Sequence, residues 1–328
     1  MLIAAADWPK AKKIMTMISQ KMNVEFGDGP STHYNGVDME QNKDYVAITC
    51  ETYINKLLKQ HGWDTPGKGE ESPMEPIHPD SAKQLETESG PDIDSEEGKA
   101  LAKEMGYGYR AIVGELTYAY VVARLDIGCA IVLLSKHTRH PARCHYIAAK
   151  RVMRYLRQTK NKGLMYWRIK IPQSMPDSNY TPRVLEEMET SYPYTEDPFR
   201  CSLYVDAAHA TCLTTRRSIA GRVVMLGGTA IAYQSKMQSV VATSSTEAEF
   251  MAAVNGAKSL LSIRSILKEL GFAQKGASPI FEDNAAAIMM ANQNRPTERT
   301  RHVDIQFFAL QEWVQNGKVK LYHISPAP

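Results

Sequence analysis

Four acids stand near the ends of apolar segments, where their type and placement could do chemistry. Asp206 closes the strand-like run Leu203-Tyr204-Val205, and Asp283 ends "IFED", where a short apolar run hands over to a helical pattern. Between them lies "SSTEAEFMAAVNGAKSLL", a helical pattern with Glu247 and Glu249 near its start. Ligand sites in α/β sheets collect at the carboxyl ends of strands. Clustered carboxylates supply the hard oxygen donors that suit Mg²⁺ better than His or Cys would. Each acid also has a plainer use, because an Asp at a strand end commonly caps a turn or helix, and Asp283 could cap "NAAAIMM".

The two glutamates pose a choice. Ser244-x-x-Glu247 fits a capping box, with Ser244 as N-cap and Glu247 reaching back from the third helical position. Thr246-x-x-Glu249 has the same spacing, so capping alone does not separate them. Residues two apart lie roughly 200° around a helix axis. Glu247 and Glu249 therefore flank opposite sides of an expected buried stripe of Phe250, Ala253, Val254 and Ala257.

Charge is unevenly spread, although the net charge is only +3. From Lys136 to Lys170 there are eleven Lys or Arg residues and no Asp or Glu. Within "IAAKRVMRYLRQT", Lys150, Arg154 and Arg157 recur on one helical face, with Arg151 beside them. Such a row can follow phosphates without reading bases. A solvated helix face is the commoner fate of a charge run; the lack of any acid nearby favours nucleic acid.

The elements that must position these residues fall into stretches. Residues 1–63 read as helix, hairpin and helix, with the hairpin "YNGVDMEQNKDYVAIT" turning at Gln41–Asp44. Residues 64–100 are acidic and proline-rich, expected as a flexible crossover. Residues 101–168 are mostly helical, and 169–200 form a second expected linker. Residues 201–328 read as three strands, a long helix, a strand, two helices and a final strand, an α/β layout around one mixed sheet. The five cysteines are scattered with no C-x-x-C pair, which points to buried thiols in a reducing compartment rather than disulfides or zinc. There is no apolar run of membrane-spanning length and no signal-like start, so neither a membrane nor secretion is expected. A cytoplasmic or nuclear setting follows.

Asp on the first strand, Glu on the first helix and Asp after the fourth strand is the ribonuclease H pattern. The wording is closer still. "YVDAAHATCLTTRRSIAGRVVMLGGTAIAYQSKMQSVVATSSTEAEFMAA", "FEDNAAAI" and "RTRHVDIQFFALQEWVQNGKVKLYHI" resemble the ribonuclease H domain of Ty1/copia-type retrotransposon polyproteins. "YRAIVGELTYAYVVARLDIGCAIVLLSKHTRHPARCHYIAAKRVMRYLRQTKNKGLMY" is similar to the segment that joins the reverse transcriptase of that family to its ribonuclease H, with Leu125 where the family usually has Pro. "YNGVDMEQNKDYVAITCETYINKLLKQHGW" resembles the late palm hairpin and the entry to the thumb.

The resemblance implies a ribonuclease H-like mixed five-stranded sheet with flanking helices, preceded by a partial palm and thumb at 1–63 and a helical connection at 101–168. It also implies metal-dependent hydrolysis of the RNA strand of RNA–DNA hybrids. Asp206, Glu249 and Asp283 would be the catalytic metal ligands, Asp206 bridging two Mg²⁺ ions about 3.5–4 Å apart, with Mn²⁺ as substitute. Alignment with the family's catalytic helix selects Glu249 over Glu247. The implied partners are the hybrid, met by Lys150, Arg151, Arg154 and Arg157, and the remainder of the Pol polyprotein; no small-molecule cofactor is implied. The family's polymerase Tyr-x-Asp-Asp falls before residue 1, and its fourth ribonuclease H carboxylate falls beyond residue 328. The chain is thus expected to lack the polymerase centre, and Asp7 carries no catalytic role. Asp304 corresponds to an Asp the family carries in addition to its fourth acid, so a helix-surface role is expected. Asp206-Ala207-Ala208-His209 departs from the family's Asp-Ala-Asp-Trp. His323 is expected to be non-catalytic. The alternative is an inactive element remnant that binds nucleic acid or has no activity.

Overall fold

Strict alternation along β5 (Cys201–Ala208) builds the centre of the molecule's larger sheet. Cys201, Leu203, Val205 and Ala207 go to one face and are buried, while Tyr204 and Asp206 go to the other. The computed structural model describes residues 8–22, 32–65, 67, 69–70, 72–74, 79–167, 200–292 and 304–324. Beside β5 run β6 (Ile219–Leu226), β7 (Thr229–Met237), β8 (Ser278–Glu282) and β9 (Val319–His323), in the order β7-β6-β5-β8-β9. The first three strands in sequence pair antiparallel, whereas β5–β8 and β8–β9 are parallel. This is the ribonuclease H-like mixed sheet expected from the order of elements.

One long helix, α8 (Ser245–Glu269), covers the inward face of β5. Its stripe of Phe250, Ala253, Val254 and Ala257 is fully buried, as the sequence spacing predicts. Gly256 sets how closely the helix approaches. A Cβ there would come within 2.7 Å of Val205 Cγ1 and 2.8 Å of Leu203 Cδ2. Two shorter helices, α9 (Ala285–Asn292) and α10 (Asp304–Gln315), add Ala287, Ala291 and Leu310 to the same core. On the opposite face Tyr204 stacks on Phe281 at 4.7 Å, and Phe281 meets Tyr322 at 6.1 Å. These rings occupy directly paired positions of β5, β8 and β9. Cross-strand aromatic pairs hold register, and a one-residue slip would reverse every side chain.

The N-terminal part has its own sheet and core. Before it comes α1 (Trp8–Ser19). Strands β1 (His33–Tyr34), β2 (Val37–Gln41) and β3 (Tyr45–Thr49) are joined, far along the chain, by β4 (Leu164–Trp167) in the order β1-β2-β3-β4. The expected turn forms where Asn42 Oδ1 accepts from the N–H groups of Asp44 (2.8 Å) and Tyr45 (2.9 Å). The helices are α2 (Glu51–Gln60), α3 (Pro79–Thr87), α4 (Glu96–Met105), α5 (Tyr109–Val122), α6 (Gly128–Ser135) and α7 (Arg143–Gln158). Ile54, Leu58, Ile112, Leu116, Ile131, Val152 and Leu156 meet in one core. The stretches divided at 63 and 101 by sequence therefore share a sheet and a core.

The crossover differs from its expected flexible character. It contributes helix α3 and the start of α4, and its acids lie against the basic run. Glu70 pairs with Arg151 (3.0 Å) and Arg154 (2.8 Å), Glu86 with Lys136 (2.6 Å) and Asp92 with Arg139 (3.1 Å). The N–H groups of Gly90 and Ile93 also donate to the carbonyls of His140 and Arg139. Complementary charge within one chain orders what composition alone describes as unfoldable. The second expected linker, 169–200, lies outside the described residues apart from Arg200.

Edge strand β7 is not left open. The Tyr233 hydroxyl donates to the carbonyl of Tyr120 (2.7 Å), Ser235 N–H donates to the Tyr120 hydroxyl (2.9 Å), and the Tyr166 hydroxyl donates to the carbonyl of Ala230 (3.1 Å). Covering an edge in this way blocks pairing with another chain. Among the described residues no helix is long and apolar enough to cross a membrane.

Candidate metal centre

Because β5 and β8 run parallel, their carboxyl ends lie side by side. Asp206 and Asp283 each follow, by two residues, one of the stacked rings that fix this register. The third acid comes from the first turns of α8. Ser244 is the N-cap, its Oγ accepting from Glu247 N–H at 3.1 Å. The Glu247 carboxylate reaches back one residue further than the expected box, accepting the N–H of Thr243 at 2.7 Å and the Thr243 hydroxyl. Glu249 turns the other way and is only 7% exposed. Asp206, Glu249 and Asp283 then each offer an oxygen within 4.8 Å of the others. The cap that Asp283 could have supplied comes from Asn284, whose Oδ1 accepts from Ala287 N–H at 3.0 Å.

The chemistry of this cluster is that of crowded, poorly solvated carboxyls. Burial first, then the charges of Glu282, Asp206 and Asp283, push Glu249 up to about 8. Asp206 is exposed as a residue, yet burial of its carboxyl and the charge of Asp283 raise it as well. Sequence reasoning missed Glu282. It is completely buried, and burial drives it up to about 7, with Asp283 adding to the rise and the Asn284 N–H opposing it. A signal was present: Glu282 stands two residues after the core residue Ile280, so alternation turns it inward. His323, its partner in the register of β8 and β9, is exposed. His209 is occupied by the carbonyl of Ala242 at 3.1 Å. Asp304 begins α10; its side chain lies outside the described residues.

These residues fit a hard divalent cation. Every donor is a carboxylate oxygen, and Glu249 Oε2 and Glu282 Oε2 are buried with no hydrogen-bond partner. Unpaired buried charge is costly, so a cation answers a need the protein itself leaves open. The pH dependence follows from the raised acids. Glu249 and Glu282 hold protons in the folded chain that the unfolded chain, at ordinary glutamate values near 4.5, releases. Their contribution to stability is full below the unfolded value and is lost as pH rises through about 7 and about 8. In chelator, the fall in Tm from about pH 5.5 to about pH 8.5 is expected to be smaller in Glu249→Gln than in the unaltered chain, a difference from which the opposing effect of the buried His137 and His145 cancels. An equal pH dependence of the two would contradict the raised value of Glu249.

The basic residues lie apart from this cluster, along α7. Lys150, Arg154 and Arg157 do share a face, lining a cavity of about 120 Å³ with Trp63. All are engaged within the chain. Lys150 Nζ sits 5.3 Å over the Trp63 ring. Arg151 and Arg154 hold Glu70. Arg157 donates to the carbonyl of Thr65 at 2.9 Å.

A parallel and antiparallel five-stranded sheet with carboxylates gathered where β5, β8 and α8 meet defines a ribonuclease H-like protein. No protein-family model matches the chain. The retrovirus-related Pol polyprotein from transposon TNT 1-94 of Nicotiana tabacum is 30% identical over 217 residues, 66% of this chain and 14% of that polyprotein. The one from transposon RE1 of Arabidopsis thaliana is 27% identical over 325 residues, 99% of this chain and 19% of that polyprotein. Among solved structures, ribonuclease H1 of Halobacterium salinarum NRC-1 is similar at 14% identity and a TM-score of 0.27, over 38% of this chain and 86% of that one. The chain belongs to the retrovirus-related Pol polyproteins of Ty1/copia-type transposons. It spans 14% and 19% of the length of the two relatives named.

Proposed function

We propose that this chain is a ribonuclease H segment of a retrotransposon Pol polyprotein, cutting the RNA strand of RNA–DNA hybrids with Mg²⁺, or with Mn²⁺ in its place. The observation that carries this reading is the convergence of Asp206, Glu249 and Asp283 within 4.8 Å from three separate elements. Divalent cations in such a site supply an activated water and stabilise the leaving 3′ oxygen. The three carboxylates would hold the cations, the pairing of β5 with β8 keeping Asp206 and Asp283 side by side while the N-capped first turns of α8 deliver Glu249. Phosphates reach Arg151 and Arg154, in this reading, by exchanging with the Glu70 carboxylate.

The test is cleavage of an end-labelled RNA–DNA hybrid by the purified chain with Mg²⁺, with Mn²⁺ and with chelator, beside Asp206→Asn. RNA-strand fragments are expected from the unaltered chain with either cation and from neither control. Hybrid binding with no cation-dependent cutting would instead identify an inactive remnant.

A further inference from the structure

Glu282 has a place in the fold that packing does not explain. Its side chain is fully buried at the end of β8, beside Asp283. Oε1 accepts the Asn284 N–H at 3.1 Å, and Oε2 has no hydrogen-bond partner. The side chain also meets that of Asp283, and its charge is the strongest of the three acting on Glu249. Two carboxylate oxygens, one on Glu282 and one on Glu249, are thus buried without a hydrogen-bond partner. The charges acting on Glu249 from around it, those of Glu282, Asp206 and Asp283, are all negative. An apolar side chain of similar volume would fill the position, next to Ile280, without the cost of an unpaired buried carboxylate. A positive charge brought into the cluster turns that cost into a gain.

We infer that Glu282 is a fourth carboxylate of the centre, a positioning residue that fixes Asp283 and Glu249 from the buried side and adds its charge to the field holding the cation. This rests on the cation-binding reading of Asp206, Glu249 and Asp283. Sequence-adjacent to Asp283 and fully buried at the end of β8, it supports the donors from behind, where partners of metal ligands commonly act.

The metal-stripped full chain, titrated with Mn²⁺ while free Mn²⁺ is followed by its paramagnetic resonance signal, tests the role. Glu282→Gln keeps the size and the acceptor for Asn284 but removes the charge, and is expected to weaken Mn²⁺ binding by about tenfold or more. Its thermal transition in chelator should stay at or above that of the unaltered chain, because an unpaired buried charge has gone. Glu282→Met gives the same loss of binding by filling the site with apolar volume, and replaces the amide variant should that one fail to unfold cooperatively. Glu282→Asp, which keeps the charge, should bind Mn²⁺ more tightly than either. Equal affinities of Glu282→Gln and the unaltered chain would overturn the role of Glu282 and leave the three-carboxylate centre standing. An unaltered chain that binds no Mn²⁺ would overturn both.

Discussion

Glu249→Gln lowers cation-dependent cleavage of an RNA–DNA hybrid by about a thousandfold or more, whereas Glu247→Gln leaves the rate within about twofold. The contrast rests on two residues separated by a single alanine. Glu249 is buried, and its carboxylate joins those of Asp206 and Asp283 within 4.8 Å. Glu247 faces the other way and ties down Thr243 ahead of the cap. A cation contributes several kcal/mol of charge stabilisation during hydrolysis, and each ~1.4 kcal/mol is tenfold in rate. Loss of a ligand therefore reaches three orders of magnitude. Removal of the Glu247 charge acts on the helix start alone, costing about 1 kcal/mol of stability. Single-turnover rates and urea unfolding of the two variants separate these outcomes. A rate loss in Glu247→Gln matching that in Glu249→Gln would reverse the assignment.

The second large effect concerns stability. Arg124 is 1% exposed. Its guanidinium donates to both oxygens of Asp126 (3.0 and 2.7 Å), to the Thr159 carbonyl (2.9 Å) and to the Thr159 hydroxyl (2.6 Å). The Tyr155 hydroxyl donates to Asp126 as well, at 2.7 Å, with the Arg124 guanidinium 5.5 Å from the Tyr155 ring centre. Burial would raise the Asp126 carboxyl, but hydrogen bonds and charge from Arg124, with Tyr155, hold it below the usual value. Removing Asp126 leaves the buried Arg124 guanidinium without its ion-pair partner, whereas the Asp126 side chain is itself 33% exposed. Asp126→Leu is expected to cost about 3–5 kcal/mol, and adding Arg124→Met to recover most of it. Urea unfolding of the single and double variants reads both quantities. A loss under about 1 kcal/mol in the single variant would show that this network is a surface pair in effect.

Sequence reasoning reached the sheet, the long helix and three acids because each follows from local periodicity and from words carried by a family. Alternation in β5 and the stripe on α8 both describe single faces, and single faces are what a sequence can state. Glu282 escaped because a strand-end motif draws the eye to Asp283, just past β8, while the inward-facing acid at the last position of the strand reads as part of its apolar run. The crossover escaped for another reason. Residues 64–99 lack the apolar content that orders a segment by itself, and their partners sit about fifty residues later, as with Glu86–Lys136, or 84 later, as with Glu70–Arg154. The two opposed charge runs were visible separately; that each answers the other is a long-range fact. The same pairing accounts for Arg151 and Arg154 of α7, which the fold already uses for Glu70, while Lys150 and Arg157 are taken by Trp63 and the Thr65 carbonyl.

The most direct test of the carboxylate centre is anomalous diffraction from crystals of the full chain soaked in Mn²⁺. Density is predicted within about 2.0–2.3 Å of carboxylate oxygens of Asp206, Glu249 and Asp283, and none at Glu247. Mn²⁺ ordered elsewhere in the crystal, with nothing between those three carboxylates, would contradict the account.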